Sequence, residues 1–154
     1  MVKRKEVDPT TLISEVIDVI QPSFDTKNQT LNRVIADDLP PLWVDPDMIR
    51  RVLVNLMENA SKFSPQDSHI EIGASLVDGH SKIWVKDDGP GIPAEDQERI
   101  FEKFSRLKVN GAIKGLGLGL TFCKLAVIGH GGEIGVESAP GKGSTFFFTL
   151  PPKG

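Results

Sequence analysis

Asn55, Asn59 and Lys62 stand at i, i+4 and i+7, so on a helix they share one stripe. Asparagine suits helix interiors poorly, because its amide competes for backbone hydrogen bonds. Two on one line, ending in a lysine, therefore need a reason. Amide oxygens suit a hard divalent cation, and an ammonium suits phosphate oxygens. A solvated polar face, which would also account for Arg51 and Glu58, is the plainer alternative.

A second group is Asp87-Asp88-Gly89-Pro90-Gly91-Ile92, directly after the apolar run Ile83-Trp84-Val85. If that run is a strand, its period of two turns Asp87 to the same side as Ile83 and Val85. An inward carboxylate is costly unless a donor satisfies it, and the exocyclic amine of a purine is one candidate. Gly89 and Gly91 would let backbone approach a flat ring. The competing reading is a turn with an acidic edge.

A third group, Gly115-Leu116-Gly117-Leu118-Gly119-Leu120, opens an apolar helical run. Free N–H groups and the helix dipole make such a start an anion site. It is neither the dinucleotide fingerprint nor a Walker-type loop, since the third glycine of the first and the Gly-Lys-Ser/Thr of the second are missing. Close packing alone would also explain it. The segment between these groups changes sign: Asp87 to Glu98 holds five acidic residues and no basic ones, whereas Glu98 to Lys114 holds five basic against two acidic. Arg106 and its neighbouring lysines would suit a triphosphate. Phe101 and Phe104, in polar company, read as anchors pinning this segment to the body.

The elements that must hold these residues are legible in part. Asp8-Pro9 and Asp45-Pro46 are cap-and-proline helix starts. Ile13, Val16, Ile17, Ile20 and Phe24 follow the first at helical spacing, with Pro22 bending or ending that helix. Ile49, Leu53, Leu56 and Ala60 follow the second. Residues 30–35 read as a short strand, residues 69–77 and 80–87 as a hairpin through Asp78-Gly79, and residues 133–138 and 144–150 as a closing hairpin. From Asp87 to Gly117 periodicity is lost except around Ala94 to Phe104, and a segment of this length inside a compact domain is usually functional. Leu118 to Gly129 is an apolar helix ended by Gly131-Gly132. Hairpins with intervening helices predict an α/β two-layer sandwich with helices on one face. Residues 1–7 read as a linker and 153–154 as a tail.

Composition limits the classes. The chain has 154 residues, a net charge of −3 and one cysteine, Cys123. That excludes an internal disulfide framework and a cysteine zinc site, and gives no bulk charge for nucleic acid. No apolar run approaches a membrane span. A reduced, cytoplasmic compartment and no direct membrane contact are expected.

Together the motifs resemble one family. Asn-Leu-Met-Glu-Asn-Ala-Ser-Lys-Phe-Ser (55–64) resembles the N box of sensor histidine kinases, and Asp-Asp-Gly-Pro-Gly-Ile (87–92) their first glycine box. Ile-Phe-Glu-Lys-Phe-Ser-Arg (100–106) is similar to the F box, Gly-Leu-Gly-Leu-Gly-Leu (115–120) to the second glycine box, and Gly-Lys-Gly-Ser-Thr-Phe (141–146) to the closing one. The resemblance covers nearly the whole chain. It implies the ATP-binding fold shared with DNA gyrase, MutL and the heat-shock chaperone ATPases: a mixed sheet of about five strands, three backing helices and a mobile ATP lid over about residues 92–116, within a domain spanning 8–152.

The resemblance also implies roles. Asn59 would hold Mg2+, with Asn55 and Lys62 on phosphate oxygens and Glu58 assisting the attacking nucleophile. Asp87 would accept from the adenine amine, with Gly89, Gly91, Ile92, Phe63, Phe101 and Thr145 around the nucleoside. Arg106 would reach the γ-phosphate, and Gly115, Leu116, Gly117, Leu118 and Gly119 would cradle the phosphates.

Two absences refine this. Gyrase-like relatives carry a glutamate, a general base for water, where this chain has Asn55, and an amide cannot take that proton. None of His69, His80 and His130 lies in a phosphoacceptor context. The chain therefore reads as the ATP-binding catalytic part of a longer kinase, a monomer by itself. Its expected partners are a histidine-bearing dimerisation domain and a downstream response regulator. A non-catalytic nucleotide-binding scaffold, or a serine kinase of the anti-sigma-factor type, are the alternatives. Leu116, where a small residue is common, and the segment 110–114 depart from the pattern.

Overall fold

The computed structural model describes residues 2–102 and 119–154 in full and the backbone of 106–109, 112–115, 117 and 118. In chain order the elements are β1 (Lys5–Val7), α1 (Pro9–Thr26), β2 (Thr30–Ile35), β3 (Leu42–Val44), α2 (Pro46–Phe63), β4 (His69–Val77), β5 (His80–Asp87), α3 (Ala94–Gln97), β6 (Arg106–Val109), β7 (Ala112–Gly115), α4 (Gly117–Gly129), β8 (Ile134–Ser138) and β9 (Ser144–Leu150). A single 3-10 turn, Arg99–Phe101, follows α3.

Both Asp-Pro starts work as caps. The Asp8 carboxylate accepts from the Thr11 N–H, and that of Asp45 from the N–H groups of Asp47 and Met48. Proline follows each, where a missing N–H removes nothing from the helix. Pro22 does not end α1, which continues to Thr26. It sits on the exposed side, where the carbonyl it leaves without a partner can meet water.

Five strands form one sheet in the order β2-β4-β5-β9-β8. β2 runs parallel to β4 and the other pairs are antiparallel, so the sheet is mixed. The three long helices cover one face. Strand alternation puts Ile72, Val85, Phe146 and Phe148 on that face, against Leu12 and Val16 of α1, Leu53 and Leu56 of α2, and Cys123 and Val127 of α4. Each such aliphatic side chain contributes about 1.5–3 kcal/mol relative to exposure. The other face carries Trp84 and Phe147, whose rings lie over Gly73 and Gly135. A Cβ at those glycines would stand 2.0 and 2.8 Å from the respective rings.

Two parts differ from expectation. Lys5–Val7 is not a linker: it pairs antiparallel with β3, with Lys5 opposite Val44. Three-residue strands with 34 residues between them carry too little periodicity to be read locally. In the segment expected to lack regular structure, β6 and β7 form an antiparallel ribbon with Arg106 opposite Gly115. The expected helix to Phe104 is two short pieces, α3 and the 3-10 turn. Leu116 and Phe104 lie outside the described residues, as do the side chains of Arg106 and Leu118.

Candidate functional site

The polar stripe and the inward carboxylate meet at one end of the helix layer. On α2, Asn55 and Asn59 are half-buried and Glu58 and Lys62 are exposed. The Asn55 amide nitrogen donates to the Gly119 carbonyl in the first turns of α4, at 3.4 Å. Its amide oxygen is thereby left as the free end. Asn59 makes no hydrogen bond among the described residues, so its oxygen is also free. One turn earlier the Arg51 guanidinium lies 3.9 Å from the Phe122 ring centroid, a second tie between α2 and α4.

The C-terminus of α2 is held from outside. Lys27 Nζ donates to the carbonyls of Ser61 at 2.7 Å and Ser64 at 2.6 Å. Gln29 Nε2 donates to the same two and to Pro65, while Ser61 Oγ donates back to Gln29 Oε1 at 2.6 Å. An ammonium and an amide thus satisfy the last carbonyls and oppose the negative end of the dipole. Lys62 and Phe63 are fixed at the site as a result, with Lys62 Nζ 5.4 Å from the Phe63 ring centroid.

Asp87 ends β5 facing the helices and is 6 % exposed. Its Oδ1 accepts from the N–H groups of Gly89 at 2.8 Å and Ser144 at 3.2 Å. Oδ2 makes no hydrogen bond among the described residues. Burial pushes this carboxyl up to about 6, against the pull of those two N–H groups. A buried carboxylate with one oxygen saturated and the other unclaimed is an acceptor waiting for a donor.

The loop behind Asp87 is set by interlocking glycines. Gly91, at φ +81°, lies against the Ala139 carbonyl, where a Cβ would stand 2.0 Å away. Gly143, at φ +72°, lies as closely on the Asp87 carbonyl, 2.1 Å from a built Cβ, and the Gly141 N–H donates to the Pro90 carbonyl. Gly91 therefore lets two backbones fit closely together. Gly89 is pressed between Asp87 Oδ1 and the Phe63 carbonyl. Ile92 is buried, and its N–H is held by Ser138 Oγ at 2.7 Å.

One expected residue is placed elsewhere. Thr145 pairs with Lys86 and Glu137 on the outer face of the sheet, the side away from Asp87. Side-chain period two makes a one-residue slip a change of face. The residue opposite Asp87 is Ser144, and counting back in twos from Phe148 and Phe146 would have found it. Phe101 acts as the expected anchor, buried with its ring edge-on to Phe146 at 6.2 Å. The Thr121 hydroxyl bonds its carbonyl. Of the proposed phosphate cradle, Gly115 ends β7 and Gly117 opens α4 with Leu118, one residue earlier than expected. Gly119 contacts Asn55.

The remaining candidates play other parts. His130 is buried, its Nδ1 donating to the Ala126 carbonyl at 2.7 Å and its Nε2 accepting the Asp45 N–H at 3.0 Å. It is a structural joint between the end of α4 and the cap of α2. Cys123 is buried and its thiol is pushed up to about 12 by burial, so it is inert as a nucleophile. Among the described residues no group of three histidine, cysteine, aspartate or glutamate side chains could hold a metal, and no helix is long and apolar enough to cross a membrane.

Known proteins share this arrangement. Residues 44–154 match the family described as histidine kinase-, DNA gyrase B- and HSP90-like ATPase. The adaptive-response sensory kinase SasA of Thermosynechococcus vestitus is 41 % identical over 96 % of the chain and 39 % of its own length. The chain thus spans about two fifths of that relative. Among solved structures, full-length ShkA in complex with AMPPNP is 28 % identical over 98 % of the chain and 31 % of that one, with a TM-score of 0.87. Histidine kinase ThkA in complex with the response regulator TrrA is 25 % identical over 99 % of the chain and 42 % of that one, with a TM-score of 0.83. Buried acceptor, amide stripe, glycine-led helix and these likenesses agree: the chain belongs to the histidine kinase-, DNA gyrase B- and HSP90-like ATPase family, among the catalytic, ATP-binding domains of sensor histidine kinases.

Proposed function

We propose that this domain binds ATP with Mg2+ and presents the γ-phosphate to a histidine on a separate dimerisation domain of the parent kinase, which then supplies a response regulator. The observation that carries this reading is Asp87. Its Oδ1 is held by two backbone N–H groups, so its Oδ2 is aimed and unclaimed at the end of the helix layer. An adenine amine is a donor of the right kind for it.

The stripe of α2 does the rest by positioning. Lys62 offers an ammonium to phosphate oxygens, and Asn55, which holds α4 through one amide N–H, offers its other N–H to them. Arg106 is assigned to the γ-phosphate. The described residues suit Mg2+ in a limited way: Asn59 supplies one hard amide oxygen with no internal partner, and this ion is ordinarily held by few protein ligands together with substrate phosphates and water. When bound, Mg2+ supplies charge neutralisation on the phosphates. Phosphoryl transfer requires mainly alignment and charge neutralisation, which this set provides without a water-activating base. Glu58, exposed beside the stripe, is the residue proposed to orient an incoming nucleophile.

The likeness to ThkA, whose structure was solved in complex with the response regulator TrrA, supports a response regulator as the downstream partner. By itself the domain is proposed to be a monomer, working in the cytoplasm and away from nucleic acid and the bilayer. The test is a Mg·ATP titration by calorimetry, followed by an ADP assay over hours and by addition of a separately prepared dimerisation domain. Saturable binding, negligible ADP, and label appearing on the added histidine are expected. Sustained ADP release without an acceptor would overturn the transfer reading.

A further inference from the structure

Ser138, at the end of β8, lies where three segments of the site meet. Its Oγ accepts from the Ile92 N–H at 2.7 Å, donates to the Gly143 carbonyl at 2.8 Å and is hydrogen-bonded to the Ser144 hydroxyl at 2.8 Å. The Ile92 N–H can only donate and the Gly143 carbonyl can only accept. The single proton of Ser138 is therefore committed to Gly143, and Ser138 can only accept from Ser144. Ser144 has given its own proton away and faces the site as an acceptor. It stands directly opposite Asp87 in the sheet, on the same face, with its N–H on Asp87 Oδ1. Gln97 reinforces the same junction, with Nε2 donating to the carbonyls of Ile92 and Ser138, each at 2.9 Å.

We propose that Ser138 is a specificity-determining positioning residue: by accepting the Ser144 proton it fixes two acceptors side by side, selecting a base that carries an exocyclic amine over one that carries a carbonyl. The inference rests on the nucleotide reading of the site. Without Ser138 Oγ, the Ser144 hydroxyl is free to turn and donate, and a carbonyl-bearing base is no longer refused. A site whose polar groups would be left mispaired discriminates strongly, and one whose hydroxyl adapts does not.

The test compares ATP with inosine triphosphate, which differs by a carbonyl in place of the amine and a proton on the adjacent ring nitrogen. Both are titrated against the native chain, Ser138→Ala and Ser138→Thr, with thermal melting to establish folding. The native chain should prefer ATP. In Ser138→Ala the ATP-to-ITP affinity ratio should fall roughly tenfold, the scale of one hydrogen bond's discrimination. Ser138→Thr, which keeps the hydroxyl, should retain the native ratio. A merely structural role would weaken both nucleotides alike and leave the ratio unchanged, which would overturn the inference; so would an equal fall in the threonine variant. If Ser138→Ala melts below the assay temperature, Ser138→Cys, which fills the space with a weak donor, is read by the same ratio. A native chain that binds neither nucleotide would instead remove the reading on which this one rests.

Discussion

The amide nitrogen of Asn55 on α2 donates to the Gly119 carbonyl on α4 at 3.4 Å. This member of the proposed phosphate site is thus also a strut between two helices. Asn55→Asp removes the donor and sets a carboxylate against a carbonyl and the proposed phosphates. Asn55→Ala removes the strut and the proposed phosphate contact but adds no charge. Calorimetry should rank Mg·ATP affinity as native, then alanine, then aspartate, with the aspartate variant weakened at least about tenfold. Equal binding by the native and aspartate proteins would refute this.

Asp87 gives a prediction in pH. In the unfolded chain its carboxyl titrates at its ordinary 3.8, and in the fold at about 6. The folded state holds that proton more tightly, so the stability linked to this group is fully present below about 4 and is lost as pH rises through 6. The change is about 3 kcal/mol. Asp87→Asn should therefore melt higher than the native protein at pH 7.5, by about 2–4 °C for each kcal/mol recovered. Its ATP affinity should nonetheless fall at least about tenfold. Native ATP affinity should also drop as pH falls below 6, because Oδ2 is the oxygen left to take the proton. A melting temperature lowered by the asparagine would contradict the burial argument.

Asn59 has no internal partner among the described residues, so Asn59→Ala should fold and melt like the native chain. What it should lose is the difference between ATP binding with Mg2+ and with chelator. Magnesium-dependent affinity persisting at the native level in this variant would show that the ion is held by another residue.

The cap on α2 predicts a stability effect at a distance from the ligand. Lys27→Met leaves the carbonyls of Ser61 and Ser64 without their ammonium, and Gln29→Leu strands Ser61 Oγ in the interior. Each should lower unfolding free energy in urea by about 1–3 kcal/mol, the range for a buried group losing its partner. Changes within a few tenths of a kcal/mol would mean that the carbonyls are satisfied otherwise.

What could be read in advance follows a physical line. Helices α1 and α2 announce themselves because their caps, Asp8 and Asp45, are local: donor and acceptor lie within three residues. Asp87 is legible because alternation along one strand aims it inward. The Ile92 N–H on Ser138 and the Ser61 and Gln29 pairing are not legible, since these partners lie 46 and 32 residues apart and nothing near them in sequence marks the contact. The slip from Ser144 to Thr145 is of another kind. Two hydroxyl residues sit side by side, and the alternation counted back from Phe148 and Phe146 decides which one faces Asp87. Ribbon β1–β3 escapes because three residues per strand show no period.

The glycine interlock behind Asp87 also bears on how the molecule is made. Gly91 meets Ala139, Gly143 meets Asp87, and Asn55 meets Gly119, each pair separated by about fifty residues or more. Contacts of such sequence separation form slowly, because long loops must close before any of them is rewarded. The acceptor pair exists only once β5, β8 and β9 have zipped, and the Asn55 strut only once α4 has docked. Nucleotide affinity should emerge last during refolding, and the ligand, able to bind only the finished molecule, acts as a late ratchet on the chain that completes it.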